Sequence, residues 1–134
     1  MATAQDTKNA LEVNPEEVTD LMCNCINSFM DKLHPQTQIM MKDIATIGEE
    51  EAKKKLMKYL EDNPDDLDRI MKDGAALENF EYMVEQEEGC ENISKIIAEA
   101  DKAEGSDTRA RLEARLESNS ACAFTNIFYK MGKQ

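Results

Sequence analysis

Cys23-Asn24-Cys25, with single cysteines at Cys90 and Cys122, is the constellation in this chain that carries most chemistry. Four cysteines allow disulfides, reduced buried thiols or a zinc site. The flanking residues read as an amphipathic helix, and two steps along an α-helix turn through about 200°. The sulfurs of Cys23 and Cys25 therefore leave on nearly opposite sides, badly placed to bond each other or to share one ion. If oxidised, they pair as Cys23–Cys90 with Cys25–Cys122, or as Cys23–Cys122 with Cys25–Cys90. Structural zinc sites usually present Cys-x₂-Cys on a knuckle, a spacing this chain lacks. An even cysteine count spread over separate helices favours two disulfides, each expected to stabilise by about 3–5 kcal/mol in the chain-entropy account.

Other reactive residues are few. His34 is the sole histidine, and Asp31-x-x-His34 is a single imperfect echo of the Glu-x-x-His pattern that di-iron bundles need twice. It reads as a surface residue at a helix end. Asp62-Asn63-Pro64-Asp65-Asp66-Leu67-Asp68 invites a calcium reading but puts Pro64 at the third loop position and Leu67 where glycine is required. It reads instead as a helix cap. Glycine phosphate loops, a nucleophile elbow and kinase signatures are absent. No catalytic residue, metal ligand or cofactor is assigned, and the chain is expected not to be an enzyme. Arg109, Arg111 and Arg115 form the one basic cluster. They are expected to pair with Glu113, Glu117 and nearby acids, with a docking patch for carboxylate or phosphate as the binding alternative.

The elements that must position these residues are helical. Asn14-Pro15 with Glu17 has the chemistry of a helix start, followed by the stripe Val18, Met22, Cys25, Ile26, Phe29 and Leu33. His34-Pro35 ends that helix. Ile39 to Leu60 continues in helical period, with Gly48 either a break or a weak point. Asn63-Pro64-Asp65 begins another helix, with Leu67, Ile70 and Met71 inward and Gly74 a candidate interruption. Glu104-Gly105-Ser106-Asp107 is a loop holding a cap, and Ser118-Asn119-Ser120 starts the closing helix. Residues 1–13 read as a flexible N-terminal arm and 14–134 as a single helical domain. The expected fold is all-α, a compact bundle of about four to six helices stapled twice from the first. Cys23-Asn24-Cys25 resembles one device of the plant lipid-transfer proteins, a Cys-x-Cys whose sulfurs pair with different helices. Their adjacent Cys-Cys pair is missing here, and no family membership follows.

The net charge of −12 opposes binding to nucleic acid or an anionic membrane face, and permits a basic partner. No apolar run is long enough to span a bilayer. The N-terminal residues lack a signal peptide, so the chain is either cytoplasmic with four thiols or a mature exported form, periplasmic or extracellular; the cysteine pattern favours export. The leading expectation is an exported, non-catalytic acidic binding protein that engages a basic protein, as an inhibitor or immunity protein does. The alternative comes from the nine methionines. Met22, Met30, Met40, Met57, Met71 and Met83 at helical spacing fill a core, or line a pliable cavity for a lipid or other apolar small molecule. The same stripe would serve as a homodimer face.

Overall fold

A computed structural model describes residues 10–132. Every regular element among them is helical: α1 Ala10–Val13, α2 Pro15–Met30, α3 Pro35–Ile47, α4 Glu49–Asp62, α5 Leu67–Glu78, α6 Phe80–Glu85, α7 Ile93–Lys102, α8 Asp107–Ser118 and α9 Ala123–Gly132. Single-residue joints at Asn14, Gly48 and Asn79 divide stretches that otherwise run on, which is why the segments are short. Gly48 is a true break, at φ +88°, a conformation that a side chain would strain. There α3 and α4 fold back on each other, and Lys55 reaches Asp43 at 3.0 Å across the joint.

The bundle is organised around α2. Its buried residues, among them Thr19, Met22, Cys23, Cys25, Ile26 and Phe29, form one broad face with Cys23 and Cys25 at its two edges, while Glu17, Leu21, Asn24 and Ser28 line the exposed face opposite. Cys23 and Cys25 are both buried, and they do reach different neighbours: Cys23 bonds Cys122 and Cys25 bonds Cys90. Of the two pairings open to the sequence, this is the one formed, and it removes the zinc and reduced-thiol readings. The core falls into two clusters, one on each flank. Cys25 and Cys90 sit in the larger, with Met22, Phe29, Met30, Met41, Val84 and Ile93. Cys23 and Cys122 sit in the smaller, with Leu11, Ala100, Leu112 and Leu116.

Several local expectations change. Residues 1–9 of the segment read as an arm lie outside the described residues, whereas its last four form α1, with Leu11 buried in the second cluster. Asn14 does not cap α2 with its side-chain oxygen; its amide donates instead to the Glu17 carboxylate, and Pro15 occupies the first turn. Of the three α5 residues expected inward only Ile70 is buried, while Leu67 and Met71 are exposed, and Gly74 passes without interruption. The joint lies at Asn79. The methionines divide as well: Met22, Met30 and Met41 are buried, and Met57 and Met71 stand in solvent.

The bridges close loops of 99 and 65 residues in sequence. Replacing Cys23 and Cys122 together by alanine is expected to cost about 3–5 kcal/mol in urea unfolding, with helicity retained at low temperature. Stepwise reduction and alkylation, followed by mass spectrometry, should return Cys23 with Cys122 and Cys25 with Cys90; the crossed pairing would contradict this arrangement of α2.

Candidate functional site

A cavity of about 800 Å³, partly open to solvent, is bounded by α2, α6, α7, α8 and α9. Its walls draw on both core clusters: Met22 and Ile26 from the first, Ala100 and Leu112 from the second. Phe80 and Phe128 add a further wall, their rings stacked 4.5 Å apart, with Phe29 edge-on to Phe80 at 5.9 Å. Thr125 is also part of the wall; it is 2% exposed and its hydroxyl has no hydrogen-bond partner among the described residues. The size matches sites for small apolar ligands, which combine apolar walls with a few polar groups.

The three arginines of the sequence pattern are brought together, but as clamps. Arg111 holds Glu16 with both forks, Nε at 2.9 Å and Nη2 at 2.5 Å. Arg115 holds Asp20 in the same way, both contacts at 2.7 Å, and Asn119 donates to the same carboxylate at 2.9 Å. These bonds zip α8 to α2, with partners some 95 residues away in sequence rather than Glu113 and Glu117 beside them. Glu113 accepts from the Tyr129 hydroxyl, and Glu117 pairs with Lys130. Arg109 is buried: its Nη1 donates to the Ala100 carbonyl at 2.7 Å, its Nε to the Tyr129 hydroxyl, and its guanidinium lies 4.7 Å from the Tyr129 ring centre. Of the three, Arg109 alone borders the cavity. Side-chain hydrogen bonding from Arg111 and from Arg115 holds the Glu16 and Asp20 carboxyls below their ordinary values. Burial, then the bond to Glu113, raises the Tyr129 phenol, against the pull of Arg109.

His34 is buried, not a surface residue. Its Nδ1 accepts from the Gln36 N–H at 3.0 Å and so caps α3, which leaves the proton on Nε2, 3.4 Å from Asp66 Oδ2. Asp66 also accepts from Tyr59 at 2.5 Å, which raises that phenol. Buried Asp73 accepts from the His34 backbone N–H at 2.8 Å and from the Thr37 hydroxyl at 2.7 Å. With both ring nitrogens engaged, His34 has no lone pair free for acid–base work in this state. The cluster acts as a clasp that ties the start of α3 to α5. Among the described residues no group of three or more His, Cys, Asp or Glu is placed to hold a metal, and no helix is long and apolar enough to cross a membrane.

The cavity walls were hard to anticipate. Thr125 looks like a surface position in Ala-Phe-Thr-Asn-Ile, and nothing in the spacing of Phe80, Arg109 and Tyr129 announces that they meet. No protein-family model matches the sequence, and neither a curated protein nor a solved structure matches it.

Two predictions test this description. Asp73→Ala strands a buried backbone N–H and is expected to cost about 2 kcal/mol, with Asp73→Asn losing less because an acceptor remains. The second concerns pH. The lowered Glu16 and Asp20 carboxyls contribute stability fully above their unfolded-chain values, and that contribution is lost as pH falls through the lowered ones. Urea midpoints should therefore decline below about pH 4. Arg115→Gln should make that acid decline shallower.

Proposed function

We propose that this protein is a non-catalytic carrier of an apolar small molecule, exported to an oxidising compartment. The observation that carries the reading is the cavity of about 800 Å³ between the two halves of the core, walled by Met22, Ile26, Phe80, Leu112 and Phe128. Cavities of this size desolvate most of a small ligand, and the flexible side chain of Met22 adapts to shape beside the stacked rings. Two disulfides support the compartment, since such bridges persist where thiols are not kept reduced.

A second reading, a basic protein partner for the acidic surface, has one local support. Asp62, Asp65 and Asp68 stand exposed together at the turn between α4 and α5. It requires association that weakens steeply with salt.

The carrier reading predicts near-stoichiometric, largely salt-independent binding of an uncharged fluorescent dye such as N-phenyl-1-naphthylamine. Ile97 is half-buried in the cavity wall, so Ile97→Trp fills the space with modest effect on the fold. It is expected to weaken dye binding by about tenfold or more, the loss of roughly one well-buried apolar contact surface. Absence of dye binding by a protein of native circular dichroism would reject the carrier reading.

A further inference from the structure

The charges that border the cavity are unequal. Glu81 on α6, Asp101 on α7 and Glu104 just beyond α7 all line it, and all three are exposed, so they belong to its open side. Among the described residues Arg109 is the single lining cation. It is 8% exposed, and its guanidinium is already bound to the Ala100 carbonyl and the Tyr129 hydroxyl. A fatty-acid carboxylate entering this space meets three carboxylates at the mouth against one guanidinium, two of whose N–H donors are already engaged. An ammonium meets the reverse. Such contacts in a half-open, low-dielectric mouth are worth more than in bulk water. The net charge of −12 biases the approach in the same direction.

Resting on the carrier reading, we infer that the ligand is a cationic amphiphile. Its apolar body lies between α2, α8 and α9, and its amine sits at the mouth among Glu81, Asp101 and Glu104. The apolar end is accommodated by Met22, Ile26, Leu112 and Phe128. The carboxylates alone would be a solvated face. What makes them a site is that they rim a cavity in whose wall Thr125 keeps a buried hydroxyl with no hydrogen-bond partner among the described residues.

The test is displacement of N-phenyl-1-naphthylamine by decylamine, decanol and decanoate, each below its micelle concentration. The same series is run on a variant carrying Glu81→Gln, Asp101→Asn and Glu104→Gln together. The expected order is amine, alcohol, carboxylate, with amine over carboxylate by roughly tenfold, from several rim contacts that attract one and repel the other. In the variant the ratio should fall to about twofold or less. A control with Glu50→Gln, Asp62→Asn and Asp65→Asn, which removes as much charge away from the cavity, should keep the tenfold preference. If decanoate binds as well as decylamine, or if the preference survives in the rim variant, the ligand class is overturned while the carrier reading stands. If the dye itself does not bind, the carrier reading fails and the inference falls with it.

Discussion

Two sulfurs two residues apart on one helix cannot face the same way, and the rest of this fold is arranged around that fact. Because Cys23 and Cys25 point to opposite flanks of α2, that helix must be covered on both sides. The chain meets the demand by sending Cys90, at the foot of α7, to one flank and Cys122, at the start of α9, to the other. α2 is thereby covered over a broad arc between the two cysteines, and only the face of Glu17, Leu21, Asn24 and Ser28 is left to solvent.

The consequence for packing is a core in two parts. Each disulfide lies within one cluster of buried residues, and the helices that complete those clusters approach α2 from different directions. Between them, where α6, α7, α8 and α9 come together over Met22 and Ile26, the side chains do not close up. The arginine clamps are the counterpart on the outside. Arg111 and Arg115 fix α8 along α2 through Glu16 and Asp20, so the wall of the cavity is set by bidentate ion pairs as well as by Leu112 and Leu116.

The helices and the stapling were legible because they rest on local rules. Period, proline after a capping residue and the 200° separation are properties of a few neighbouring residues. Ser106 does cap α8 by accepting from the Arg109 N–H, and Asn119 accepts from the Ala121 N–H, as their types suggest. What the sequence concealed depends on distance along the chain. Arg115 was matched to acids beside it, whereas its partner Asp20 is 95 residues away, a choice that only the packing of α8 on α2 makes. His34 has the pattern of a helix-end residue on the surface, but Asp73 of α5 and Asp66 of the turn before it cover it. Leu67 and Met71 kept helical period with Ile70 and were still left outside, since period tells which residues share a face and not whether that face is covered.

A half-open cleft between the core clusters is compatible with where the fold's stability comes from. Filling space is the usual source, and a void forfeits the contacts its lining would have made. Cross-links act differently: they restrict the unfolded chain, so their effect does not depend on the density of the core near them. The outer bridge joins α2 to the start of α9, and the inner one ties the same helix to Cys90, cutting the large ring into two smaller ones. Clamps such as Arg115–Asp20 stand outside the cavity lining and likewise need no filled interior. The Met22 side chain, flexible and polarizable, tolerates an irregular neighbour better than a branched residue would. Stapling, clamping and a soft wall thus form one solution, in which the interior is left open because the frame around it is held from elsewhere.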